Sequence, residues 1–120
     1  MTAIWTAGLD VGSTTCKIVV LDAQKKIQYK NYIRHLSDVK GTVKNLVSEL
    51  YEKYGDLPLK LRVTGSSGML IGDLLGVEFV QEVIAGTKAV ERLYPQTDVA
   101  IELGGEDAKI TYFGTSLEQR

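Results

Sequence analysis

The sequence predicts an α/β fold: a mixed sheet opened by three antiparallel strands, then alternating helix and strand, with helices on both faces. Three observations carry this expectation. Apolar segments at residues 3–10 and 16–22 flank a short polar turn, the pattern of a hairpin. Val43, Leu46, Val47, Leu50, Tyr51 and Tyr54 fall at helical spacing. Beyond them, strand-like and helix-like runs alternate, as they do in layered sheets.

Taken in order, the hairpin strands are followed by a third strand at 27–35, where Ile27, Tyr29, Tyr32 and Ile33 are interspersed with Gln28, Lys30 and Asn31. Its imperfect alternation suits a partly solvated edge, with His35 in solvent at its end. Ser37 or Asp38 caps the next helix, whose apolar face is core, and Gly55 and Pro58 stop it. Leu59 to Thr64 forms a fourth strand, closed by Gly65-Ser66-Ser67-Gly68, with Ser66 as a cap or turn residue. A short helix covers Met69 to Leu75 and ends at Gly76, and Val77 to Val80 is a short strand. A helix runs from about Glu82 to Leu93 before Pro95, and strands at 98–103 and 107–113 flank Gly104-Gly105. The expected domain organisation is a first unit at 1–95 and the opening hairpin of a second at 96–120.

Composition narrows the function. With 120 residues, 44% of them hydrophobic, the chain suits one domain with a modest core. A net charge of −1 argues against non-specific nucleic-acid binding or an anionic membrane surface as partner. The single cysteine, Cys16, allows no internal disulfide and no cysteine-rich metal site within this sequence. It precedes an apolar strand and reads as a packed side chain. The N-terminus has no basic region followed by a long apolar run, so neither a signal peptide nor a membrane span is expected, and the expected location is cytoplasmic.

The chemistry concentrates in Asp10-Val11-Gly12-Ser13-Thr14-Thr15-Cys16-Lys17. A glycine lets backbone N–H groups approach phosphate oxygens, and successive N–H groups in a turn form an anion-binding concavity. Ser13, Thr14 and Thr15 can donate to phosphate, and Lys17 adds a positive charge. Asp10 can hold a hydrated magnesium ion, which takes one or two carboxylates and keeps several waters. The closing hairpin repeats the design, Glu102-Leu103-Gly104 matching Asp10-Val11-Gly12. Two such turns facing one another would clamp a phosphate chain. Neither a Walker A run nor a Gly-x-Gly-x-x-Gly run is present, and Gly65-Ser66-Ser67-Gly68 lacks the spacing of a nucleophile elbow.

Leu9 to Lys17 resembles the first phosphate loop of the actin, sugar kinase and heat-shock chaperone superfamily, and Ile101 to Lys109 resembles its second. Together with Val63-Thr64-Gly65-Ser66-Ser67-Gly68, they resemble the ATPase activators of 2-hydroxyacyl-CoA dehydratases and the related subunits of benzoyl-CoA reductases. The resemblance implies two RNase H-like (actin-like ATPase) domains around an ATP site, the second of them truncated here. It also implies ATP hydrolysis that drives electron transfer to a partner enzyme, a [4Fe-4S] cluster whose cysteines lie outside this segment, and a homodimer in the complete protein. Carried over by position, Asp10 organises Mg2+ through water, and Gly12, Ser13, Thr14, Thr15 and Lys17 bind phosphates. Gly104 and Gly105 admit the opposite loop, Glu102 matches the second loop's acid, and Glu106 and Asp107 sit near the attacking water. This sequence departs from the family in having Glu102 for aspartate, Glu106 for glutamine, and Ala85 and Gly86 for a cysteine–histidine pair. Two alternatives stand beside this reading, a small-molecule (sugar-type) kinase of the same superfamily and a non-catalytic interaction domain. By itself the segment is expected to be inactive, and its closing hairpin to expose an edge open to strand pairing between copies.

Overall fold

The computed structural model describes residues 4–103 and 108–113. The elements run β1 (Trp5–Val11), β2 (Thr15–Leu21), β3 (Ile27–Arg34), α1 (Val39–Tyr54), β4 (Leu59–Thr64), α2 (Gly68–Leu75), β5 (Glu78–Phe79), α3 (Glu82–Leu93), β6 (Val99–Leu103) and β7 (Ala108–Tyr112). The chain divides into two units, Met1–Glu82 and Val83–Arg120.

In the first unit a five-stranded sheet has the order β3-β2-β1-β4-β5. β1 pairs antiparallel with β2, which pairs antiparallel with β3, while β4 lies parallel to β1 and β5 parallel to β4. The hairpins follow from short connections, and the parallel pairing of β1 with β4 follows from the α1 crossover between them. This is the expected mixed sheet.

Side chains alternate across the sheet with period two, which sorts the residues by face. Ala7, Leu9 and Val11 on β1 are opposite Val20, Ile18 and Cys16 on β2, and all six are buried. Val63, level with Leu9, joins them. Val43, Leu46 and Leu50 of α1 and Ile71 of α2 complete this core. At the far end, Trp5 and Tyr54 meet edge-to-face with ring centroids 5.2 Å apart. The other face carries Thr6, Gly8 and Asp10, level with Lys60, Arg62 and Thr64 of β4, and Lys17 opposite Tyr32 of β3. The apolar side fixes the register, because a one-residue slip would turn Leu9 and Ile18 outward.

Asp38 caps α1, its carboxylate accepting from the Gly41 N–H at 3.1 Å. Gly55 ends the helix and donates its N–H to the Tyr51 carbonyl. The buried stripe of α1 is narrower than its apolar residues foretell. Val47 is 39% exposed and Tyr51 57% exposed, so only the positions aligned with the sheet are covered. Helical spacing marks a face but does not set how wide a neighbour covers it.

His35 corrects the sequence reading. It follows the edge strand, yet it is 6% exposed. Tyr29, Asn31, Ile33 and His35 share one side of the chain, the side turned toward the core, and the first three are partly buried. The period-two pattern therefore continues one residue past β3.

In the second unit β6 and β7 form an antiparallel pair. The Phe113 N–H donates to the Asp98 carbonyl at 2.7 Å, closing the open end of the hairpin. Among the described residues, none of α3, β6 or β7 is fully buried.

Candidate phosphate-binding turn

The β1–β2 turn is built from residues 12–14. The Gly12 N–H donates to the Thr15 carbonyl at 2.8 Å, closing it. Ser13 and Thr14 are exposed, and among the described residues nothing accepts from their N–H groups. Two N–H groups without an acceptor among the described residues, and two hydroxyls, therefore follow one another on exposed residues, the donor set an anion needs.

Asp10 and Lys17 sit side by side on the polar face at the foot of this turn. They are Cα partners across the hairpin, and Lys17 Nζ donates to Asp10 Oδ2 at 3.1 Å. Lys17 Nζ also lies 5.6 Å from the centre of the Tyr32 ring. The side chains of the pair are 37% and 39% exposed, so their mutual attraction is worth at most about 1 kcal/mol. The pair thus holds both groups in place while leaving either free to engage a phosphate or a hydrated cation.

A second loop presses on the end of β1. Gly65 has φ +104°, a conformation glycine tolerates and L side chains rarely adopt. A Cβ there would fall 2.6 Å from Asp10 Oδ1 and collide with the Val11 carbonyl oxygen. The Ser67 N–H then donates to the Val11 carbonyl at 2.9 Å. This loop therefore seats itself against the Asp10 carboxylate only because residue 65 lacks a side chain. Thr64, level with Asp10 on β4, carries a buried Oγ1 that has no hydrogen-bond partner among the described residues.

The buried His35 braces the turn from below. Its backbone N–H donates to the Thr14 carbonyl at 3.0 Å. Its ring Nε2 lies 3.0 Å from the Gly12 carbonyl oxygen, and the Ser37 N–H donates to ring Nδ1 at 3.1 Å. The chain then reverses through Leu36 and Ser37, both at positive φ, and the Asp38 N–H returns to the His35 carbonyl at 2.8 Å.

Cys16, next to the turn, is fully buried in the core. Burial, then the neighbouring Asp10 charge, pushes its thiol pKa up, which opposes the thiolate that redox or metal chemistry requires. An open groove of about 760 Å3 lies between the starts of α1 and α2, lined by residues that include Ser37, Lys40, Ser66 and Met69. It shares no lining residue with Asp10, the 12–14 turn or Lys17.

Of the residues expected to form the site, Asp10, Gly12, Ser13, Thr14, Thr15 and Lys17 are brought together. Glu102 lies in the second unit, exposed on β6, as the Cα partner of Lys109 on β7. Gly104, Gly105, Glu106 and Asp107 lie outside the described residues. Ser66 sits in the second loop and Ser67 precedes α2, with no side-chain hydrogen bond capping that helix. The residues that sequence reasoning missed are His35 and Thr64. The first was legible in the continued alternation of β3; the second has no local signal.

No protein-family profile matches the chain. An uncharacterised protein of Methanocaldococcus jannaschii is 32% identical over 86% of this chain and 41% of its own length. The 2-hydroxyisocaproyl-CoA dehydratase activator of Clostridioides difficile is 31% identical over 89% of this chain and 40% of its own. A structure of that activator with bound ADPNP superposes with a TM-score of 0.74, at 30% identity over 92% of this chain and 41% of that one. The (R)-2-hydroxyglutaryl-CoA dehydratase activating ATPase of Acidaminococcus fermentans is 26% identical over 92% of this chain and 43% of its own. A structure of component A of that dehydratase superposes with a TM-score of 0.76 over 93% of this chain and 44% of that one. The chain spans less than half the length of each of these relatives. In sequence the chain is similar to 2-hydroxyacyl-CoA dehydratase activators, and it has the actin-like ATPase fold of those activators.

Proposed function

We propose that the complete protein binds Mg-ATP at the β1–β2 turn and hydrolyses it. It does so as the activator of an enzyme of the 2-hydroxyacyl-CoA dehydratase or benzoyl-CoA reductase type, coupling hydrolysis to electron transfer. The observation that carries the nucleotide reading is the turn, whose Ser13 and Thr14 N–H groups have no acceptor among the described residues, beside the half-exposed Asp10–Lys17 pair. The activator reading rests on relatives named as dehydratase activators, one of them solved with ADPNP. These names lend no support to a sugar kinase or a non-catalytic domain.

In this reading Gly12, Ser13, Thr14 and Thr15 take the phosphate oxygens and Lys17 neutralises part of their charge. Magnesium suits the residues present: Asp10 offers one partly exposed carboxylate, the ligand a hydrated ion takes. Bound there through water, it would supply charge neutralisation for phosphoryl transfer to water, a reaction that depends on positioning and electrostatics. The segment at 1–95 acts as the first RNase H-like subdomain. That at 96–120 opens the second, where Gly104 and Gly105 admit the phosphates and Glu102, Glu106 and Asp107 serve the attacking water. A [4Fe-4S] cluster does not fit the residues in hand. Their one cysteine is buried, and no cluster of three or more His, Cys, Asp or Glu stands together among the described residues. In this reading the electron-transferring cluster is held by residues outside this segment, in a cytoplasmic, homodimeric complete protein.

The test is Asp10→Ala in the complete protein. Mg-ATP turnover is expected to fall on the order of 100-fold or more, with circular dichroism and melting temperature nearly unchanged. Turnover within a few-fold of wild type would remove Asp10 from the mechanism.

A further inference from the structure

We propose that His35, held as its Nε2–H tautomer, is a positioning residue that orients the Gly12–Ser13 peptide for phosphate binding; the proposal rests on the nucleotide reading of the turn. The tautomer follows from the partners. A carbonyl oxygen only accepts, so the ring nitrogen 3.0 Å from the Gly12 oxygen must carry the hydrogen. A backbone N–H only donates, so the ring nitrogen 3.1 Å from the Ser37 nitrogen must present its lone pair. Both ring nitrogens are thereby committed, in opposite senses, inside a site that is 6% exposed.

The consequence for the turn comes from the planarity of the peptide. In a trans peptide the C=O and the following N–H point in opposite directions. Drawing the Gly12 carbonyl toward the His35 ring therefore turns the Ser13 N–H away from that ring. The His35 backbone N–H holds a second carbonyl of the turn, that of Thr14, at 3.0 Å. With the Gly12 and Thr14 carbonyls both tied to His35, the turn is held at two points and the Ser13 N–H stays directed away from the ring. Without the ring bond, the Gly12–Ser13 peptide can rotate and lose its donor from the concavity.

The surrounding backbone is bent to make this possible. Leu36 and Ser37 stand at φ +49° and +68°, a region non-glycine residues avoid. That reversal brings the Ser37 N–H back onto Nδ1 of the preceding histidine. The strain is spent at a place whose evident product is one fixed imidazole.

Substitution separates positioning from plain packing, because two amides each keep one half of the imidazole. In H35Q the side-chain amide nitrogen sits where Nε2 sat and still donates to the Gly12 carbonyl. In H35N the shorter amide matches Nδ1, keeping an acceptor for Ser37 but losing the reach to Gly12. The complete protein carrying H35Q or H35N is titrated with Mg-ADPNP by calorimetry. The 15N-labelled histidine of the wild type is observed by NMR, the His35 signal being assigned by its loss in H35Q. The expected result is an Nε2–H tautomer, H35Q binding within about twofold of wild type, and H35N binding roughly tenfold weaker, one hydrogen bond's worth. An Nδ1–H tautomer, or H35N binding as tightly as H35Q, would overturn the proposal. If wild type shows the Nε2–H tautomer but does not bind Mg-ADPNP, the nucleotide reading is what fails, and the nucleotide role of His35 goes with it.

Discussion

In β1–β2, Asp10 and Lys17 face each other across an antiparallel pair; in β6–β7, Glu102 and Lys109 do the same, at the same spacing of seven residues. The first hairpin is gripped from several sides. β4 lies parallel to β1, β3 flanks β2, α1 and α2 contribute to its core, Gly65 presses on Asp10, and His35 ties down the turn. Among the described residues the second hairpin forms a sheet of its two strands alone, and Ile101 and Ile110 are 63% and 56% exposed. The acid–lysine pairing is a local property of seven residues and two strands. The contacts that hold the first turn in place come from residues distant in the chain.

The contrast is sharpest in the cores. Leu46→Ala removes a fully buried side chain and should cost about 2–5 kcal/mol, whereas Ile101→Ala should cost under about 0.5 kcal/mol in this chain. Urea denaturation of the two variants measures both. Equal losses would erase the difference between the hairpins.

A smaller effect probes the grip on Asp10. Gly65→Ala imposes a side chain on a positive φ and against the Val11 carbonyl, for an expected loss of about 1–3 kcal/mol. Because the same contact seats the loop beside Asp10, nucleotide binding by the complete protein should weaken with it. Unchanged stability would mean that the loop moves off β1 without penalty.

The smallest effect runs the other way. Leu36 is 81% exposed at positive φ, so Leu36→Gly relieves backbone strain without sacrificing burial. A gain of about 1 kcal/mol is expected, partly offset by the flexibility glycine adds to the unfolded chain. Thermal melting reads it, and a loss of stability would show that Leu36 makes contributions beyond its backbone.

Much of this was legible beforehand for physical reasons. Period-two alternation in β1 and β2 places Leu9, Val11, Cys16 and Ile18 on one face, and that choice sends Asp10 and Lys17 together to the other. The end of α1 was equally clear from Gly55. His35 was misread because a charged and polar neighbourhood, Arg34 to Asp38, looks like a solvated loop, while its burial depends on carbonyls at positions 12 and 14. Gly65 was visible as a turn glycine, but its contact with Asp10 arises only when β4 inserts beside β1. Val47 and Tyr51 belong to the apolar face of α1 in sequence and stand exposed because the covering sheet is narrower than the face. Local patterns fix faces and turns; contacts between segments decide which of them matter.

The nucleotide reading requires the turn between Asp10 and Lys17 to cradle phosphate. Amide NMR of the complete protein during titration with Mg-ADPNP tests it most directly. The Ser13 and Thr14 N–H resonances are expected to shift most among those of β1, β2 and the turn between them, and Asp10→Ala to abolish the change. Saturable binding that leaves Ser13 and Thr14 unmoved would contradict it.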